Sequence, residues 1–186
     1  NGVCDEGISS NPIETTFIVA NNIRNGKAGV ANIAEYAGSD ICVIDIGCKS
    51  PIYPDNPDHI LNGTRNMLKE PAMTRQEALE AILVGYRRTV ELINQGYTLF
   101  GTGEMGVGNT TTSAAVIAAT LGLPAQEVTG YGAGVTEKMK AHKTRVIQNA
   151  VTNHAPYSDI IDLASKVGGL DMLGMVGTYL ACAQYQ

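Results

Sequence analysis

Apolar residues along this chain recur at two spacings, and the switches between them mark out helices and short extended runs. Ile13, Phe17, Ala20 and Ile23 fall at helical spacing, and Val30, Ile33 and Ala34 resume it after Gly26, which predicts a pair of helices or one broken helix. Ile41-Cys42-Val43-Ile44-Asp45-Ile46-Gly47 is a β-rich run bounded by Ser39-Asp40 and by Gly47, and it reads as a buried parallel strand. Lys49 to Glu70 holds Pro51, Pro54, Pro57 and Gly63 and reads as a long loop, of a length that in compact domains is functional or mobile.

The strongest helix signal starts at Thr74. Thr74-Arg75-Gln76-Glu77 has the spacing of a capping box, Met73 and Ala78 are placed as a hydrophobic staple, and Gly96 ends the pattern. Leu79, Ile82, Leu83, Tyr86, Val90 and Ile93 are expected to form its apolar face. A second strand is predicted at Tyr97 to Phe100, then a helix from Thr110 to Leu121 and helices near Thr136–Asn153, Ser158–Lys166 and Asp171–Gln184. Gly174, Gly177 and Ala181 suit close packing of the last helix against a neighbour. The alternation predicts a Rossmann-like α/β fold of three layers, a parallel sheet with helices on both faces, in one domain over residues 1–186. Ligands of such folds bind beyond the carboxyl ends of strands, here at Asp45 and Gly101.

At 186 residues and 44% hydrophobic content the chain can bury one core. A net charge of -5 and a mean hydropathy near zero argue against nucleic-acid and membrane-surface partners, which require a basic face. The apolar stretches Ala114–Leu123 and Leu170–Ala183 are too short or too interrupted to span a bilayer, so a cytoplasmic protein is expected. Cys4, Cys42, Cys48 and Cys182 lack C-x-x-C spacing and read as reduced, packed thiols. His59, His142 and His154 are not spaced as a ligand cluster, so no metal is expected, and no cofactor is assigned.

The candidate chemistry lies in Gly101-Thr102-Gly103-Glu104-Met105-Gly106-Val107-Gly108-Asn109-Thr110-Thr111-Thr112, where an apolar run empties into four glycines and a hydroxyl-rich helix start. Glycines permit positive φ and close backbone approach, and the first N–H groups of a helix favour an anion. Glu104 suits a sugar or base better than a phosphate, so a phosphorylated nucleotide-like ligand is expected. Gly101 to Gly106 also matches G-x-G-x-x-G between a strand and a helix, but the second strand of a dinucleotide-binding unit is missing. Gly122 to Gly130 holds turn residues and no β-branched run, leaving Glu127 without a strand to carry it. No Lys follows the glycines, which removes a P-loop.

Gly103-Glu104-Met105-Gly106-Val107-Gly108-Asn109-Thr110-Thr111, Val128-Thr129-Gly130-Tyr131-Gly132-Ala133-Gly134 and His142-Lys143 together resemble the nicotinate-nucleotide–dimethylbenzimidazole phosphoribosyltransferase family. Asn1-Gly2-Val3 with Glu6-Gly7-Ile8-Ser9, Val43 to Gly47, Glu70 to Arg75 and Val167-Gly168-Gly169 agree in order. The resemblance implies a pentosyltransferase of cobalamin biosynthesis. It moves 5-phosphoribose from nicotinate mononucleotide to 5,6-dimethylbenzimidazole or a related base, with inversion to an α-riboside and release of nicotinate. It implies Glu104 at the reacting centre. Gly103, Met105, Gly106, Val107, Gly108, Asn109, Thr110, Thr111, Lys143 and Ser9 would contact substrate, with Gly106 to Thr111 and Lys143 on the phosphate. It also implies a homodimer, a longer chain of which this is the central part, and a general base on a glutamate of the C-terminal part that this sequence does not contain. Asn1 stands where the family often carries His. The alternatives are a binding module without turnover and, against the missing strand, a dinucleotide-binding domain.

Overall fold

The computed structural model describes residues 1–185. Its α-helices are α1 Thr15–Arg24, α2 Gly29–Tyr36, α3 Arg75–Asn94, α4 Asn109–Leu121, α5 Ala125–Val128, α6 Glu137–His154, α7 Ile160–Val167 and α8 Leu170–Gln184, preceded by a 3-10 turn Gly2–Glu6. The first two are separate helices, parted by the left-handed Gly26. None of the described helices is long and apolar enough to cross a membrane.

The start of α3 forms as its residues dictate. Thr74 Oγ1 accepts the Glu77 N–H at 3.2 Å, and Glu77 Oε2 accepts the Thr74 N–H at 2.6 Å, satisfying two donors that a helix start leaves over. The same carboxylate takes both terminal nitrogens of Arg65 at 2.8 and 2.9 Å, tying the long loop to the helix. Met73 and Ala78 are both buried beneath this cap.

The buried face of α3 is only in part the one that its large residues predict. Leu79 and Leu83 are exposed, whereas Ala78, Ala81, Val84, Gly85 and Thr89 face inward. The reason lies in α8, its principal neighbour. A methyl on Gly85 would overlap the carbonyl of Gly174, and one on Gly177 would overlap the carbonyl of Ile82. The two backbones meet along small residues, as Gly174, Gly177 and Ala181 suggested for α8, and Thr89 and Thr178 join hydroxyls across the seam at 3.0 Å. Bulky side chains at this crossing would hold the helices apart, so small residues line the seam, while Ile82, Tyr86, Val90 and Ile93 of the expected face are partly buried beside it.

The rest of the core is built by α4, α6 and α7 around Ala114, Ala115, Val146, Ile147, Ala150, Leu163 and Val167, with Val3, Ile8, Met67 and Met73 closing one side. Two imidazoles fasten this side: His142 Nε2 lies 2.6 Å from the Glu6 carbonyl and His154 Nε2 lies 2.8 Å from that of Met67.

Neither predicted strand forms a ladder among the described residues. Residues 41–45 and 97–106 run without regular secondary structure and exchange no backbone hydrogen bonds with one another, because a cavity lies between them. Strand propensity reports a fit to a pleated, half-buried surface, while a ladder also needs a neighbour at about 4.8 Å. The thiols depart from expectation as well. All four are free, but Cys42, on the first extended run, is exposed rather than packed.

Candidate active site

The glycine loop links the second extended run to α4, and its glycines serve different ends. Gly108, at the N-cap of α4, has φ 86, a left-handed value that a side chain would strain. Gly106 is held by proximity, since a Cβ there would lie 2.8 Å from Asp171 Oδ2 and 3.4 Å from Asn1 Nδ2. Gly101 and Gly103 have neither positive φ nor any atom near a would-be Cβ. Only one glycine of the loop therefore uses positive φ, and the G-x-G pair faces open space.

Glu104 stands exposed on a cavity of about 630 Å³ that Met105, Gly106, Asp45 and Asp171 also line. Its Oε1 accepts the Asn109 side-chain N–H at 2.5 Å. Partial burial in the cavity wall pushes its pKa above the ordinary carboxylate value; the Asn109 donor opposes this and the like charge of Asp171 adds to it.

Lys143, on α6, is the largest fully buried side chain, at 1% exposure. Its Nζ donates to Thr110 Oγ1 at 2.7 Å and forms no ion pair among the described residues. Burial lowers its pKa, since nothing nearby offsets the desolvation of the ammonium. Gly132, left-handed at φ 71, brings its backbone beside that ammonium, and a Cβ there would lie 3.6 Å from Nζ. In the same turn of α4, Thr111 Oγ1 is buried and has no partner. Lys138 and Arg145, also on α6, are exposed.

The helix start is less open to an anion than its sequence suggests. Val107 N–H donates to Thr16 Oγ1 at 3.0 Å, Asn109 N–H to the Gly106 carbonyl at 2.9 Å, Thr110 N–H to Asn109 Oδ1 at 2.7 Å and Thr111 N–H to the Gly108 carbonyl at 2.9 Å. The donors best placed for an anion are the Lys143 ammonium and the Thr110 hydroxyl, with the Thr110 N–H exchangeable because its acceptor is a side chain. Asn109 thus bridges the two ends, its amide nitrogen on Glu104 and its amide oxygen on Thr110.

The other expected contacts divide. Val107 is buried, its carbonyl taken by Asn1 Nδ2 at 3.4 Å and Cys4 Sγ at 3.2 Å, so it supports the loop from below. Ser9 Oγ accepts the Asn11 N–H at 3.1 Å within its own turn, and the neighbouring Ser10 hydroxyl donates to the Ala133 carbonyl at 3.2 Å. That turn therefore braces the 131–134 loop and is not part of the wall around Glu104. Asp171 and Thr16 were not singled out from sequence, and Asn1 was noted there only for standing where the family often carries His. An acid after Gly-Gly at a helix start reads only as a dipole partner. The second strand required of a dinucleotide unit is absent here too, since α5 occupies its place.

In a fold of stacked helices, a glycine loop, a buried cation and a carboxylate thus come together at the start of α4. Comparison goes further: the DBI_PRT family, described as Phosphoribosyltransferase, matches residues 1–186, and the chain belongs to that family. It is 40% identical over 190 residues to the nicotinate-nucleotide–dimethylbenzimidazole phosphoribosyltransferase of Clostridium tetani, covering 99% of this chain and 52% of that protein. To the protein of the same name from Clostridium acetobutylicum it is 42% identical, over 100% of this chain and 54% of the other. The crystal structure of CobT from Thermus thermophilus superposes with a TM-score of 0.94 at 35% identity, over 100% of this chain and 56% of that one. The chain thus spans about half the length of the curated relatives it matches.

Proposed function

We propose that this chain carries the phosphoribosyl site of a nicotinate-nucleotide–dimethylbenzimidazole phosphoribosyltransferase. The observation that carries the reading is Lys143, a buried ammonium without a carboxylate, hydrogen-bonded to a hydroxyl in the first turn of α4. A buried charge is tolerated where it is paired, and here the natural pair is a phosphate.

With the 5-phosphate on Lys143 and Thr110, the ribose of nicotinate mononucleotide extends toward Glu104. Asn109 fixes that carboxylate, which accepts hydrogen bonds from the sugar hydroxyls. As the glycosidic bond breaks, its electron pair leaves with nicotinate and positive charge develops on the ribose ring, where a carboxylate held in place stabilises it. A nitrogen of the benzimidazole attacks the opposite face, giving the α-riboside, and its proton passes to a base. Gly101 and Gly103, open on the cavity side, leave room for the aromatic partner. The same reading makes residues 1–186 one α/β unit of three layers, places residues 41–46 and 97–100 in its parallel sheet, and takes the protein as a cytoplasmic homodimer of cobalamin biosynthesis.

Calorimetric titration with nicotinate mononucleotide, with NAD as comparison, tests the site. Binding of the mononucleotide that Lys143→Ala abolishes supports the reading, and Glu104→Gln should then retain binding while losing transfer to dimethylbenzimidazole. Preferential binding of NAD, or no binding of either, overturns it.

A further inference from the structure

We propose that Asp171 is a positioning residue of the transfer site, a second carboxylate that anchors the glycine loop beneath Glu104 and acts on the reaction through it; this rests on the phosphoribosyl-transfer reading. Asp171 lies in the first turn of α8, and its Oδ1 accepts the Met172 N–H at 2.9 Å, as an acid at a helix start commonly does. Helix capping does not account for the rest. The carboxylate is wedged between two glycines from distant parts of the chain. A Cβ on Gly106 would lie 2.8 Å from Oδ2, and one on Gly169 would overlap Oδ1 while lying 3.0 Å from Asn1 Oδ1 and 3.3 Å from Thr112 Oγ1. Neither glycine has positive φ, so each is required by the space that the carboxylate takes.

Oδ2, the oxygen toward Gly106, accepts no hydrogen bond among the described residues. It belongs to a side chain that lines the same cavity as Glu104. The like charge of Asp171 strengthens the hold of Glu104 on a proton, against the Asn109 amide, which weakens it. Asp40, Asp45 and Cys42 line other parts of this cavity, and the α-amino group of Asn1 donates to the Val107 carbonyl at 3.3 Å. Glu104 thus shares its cavity with further carboxylates, an enclosure suited to a sugar ring that turns cationic, and Asp171 is the one packed against its loop.

The test is carboxyl-carbon NMR titration of the chain labelled at Glu, with Asp171→Asn and Asp171→Ser. Either change removes the like charge and should move the Glu104 midpoint to lower pH. Ser retains an acceptor at the helix start, so the second variant keeps the test decisive if the first does not fold. In turnover, Asp171→Asn should shift the acid limb of the kcat/KM profile to lower pH, with a smaller effect on nicotinate mononucleotide affinity. Midpoints that stay in place overturn the proposal, even if Asp171→Asn lowers Tm. Shifted midpoints in a protein that neither binds nor transfers phosphoribose would instead overturn the functional reading and leave the carboxylate pair standing.

Discussion

Lys143 Nζ and Thr110 Oγ1 meet at 2.7 Å across the α4 and α6 interface, and this is the hydrogen bond that the buried ammonium makes. The charge is held in the fold without neutralisation, an arrangement that lowers stability unless a ligand completes it. Lys143→Met keeps the volume of the stem and removes the charge. Its expected effect on unfolding free energy is small or stabilising, while affinity for nicotinate mononucleotide should fall by about 2 kcal/mol, roughly thirtyfold. Urea unfolding beside calorimetry measures both, and a large loss of stability with affinity kept would remove Lys143 from the site.

Two glycine substitutions should behave oppositely. Gly85→Ala inserts a methyl into the Gly174 carbonyl of α8 and should destabilise by about 3 kcal/mol, because a backbone contact cannot be relieved by a rotamer change. Gly103→Ala meets open space and should stay within about 0.5 kcal/mol of the parent. If the open side of the loop receives the aromatic partner, the same change still weakens binding of the benzimidazole-type base. Thermal unfolding compares the pair.

Acid should erase the contribution of Glu77. Its bidentate bond to Arg65, with the Thr74 N–H, lowers its pKa from the ordinary 4.5 to about 2. The folded value lies below the unfolded one, so the stabilisation is fully present above about pH 4.5 and is lost as pH falls toward 2. With Arg65 partly exposed, about 1–2 kcal/mol is expected at neutral pH after allowance for solvent screening. The difference in urea midpoint between the parent and Glu77→Gln should therefore be largest at neutral pH and close between pH 4.5 and 2, and a difference that persists at low pH would point to the cap alone.

Among the described residues, backbone amides of 41–45 and 97–101 have no backbone acceptor, apart from Tyr97, whose N–H reaches the Leu92 carbonyl at 3.2 Å. Hydrogen exchange there should be fast, while Ala81 and Ile147, buried inside α3 and α6, exchange slowly. Slow exchange at Val43 or Leu99 would mean that a partner strand, from another copy or another segment, covers these edges.

Local signals were legible where neighbours along the chain supply them, although the break at Gly26 was compatible with one broken helix as well as with two. Thr74 and Glu77 contain their own capping box, Gly26 parts α1 from α2, and the glycine loop ahead of a threonine-rich helix is a contiguous motif whose meaning depends on neighbours in the chain. The family followed from such motifs in order. Tertiary structure decided what depends on who stands opposite. Which stripe of α3 is buried was set by the close approach of Gly174 and Gly177, so Ala81 and Gly85 went inward and Leu83 outward. Whether Val43 and Leu99 belong to a ladder is decided by a facing strand, which a single run cannot specify. Lys143 was singled out by the family resemblance and otherwise reads as one of several lysines on a charged helix; only packing against Thr110 and Gly132 makes it a buried cation. Asp171 is invisible as a site residue in sequence, because its neighbours Gly106 and Asn1 are distant along the chain and come together only on folding.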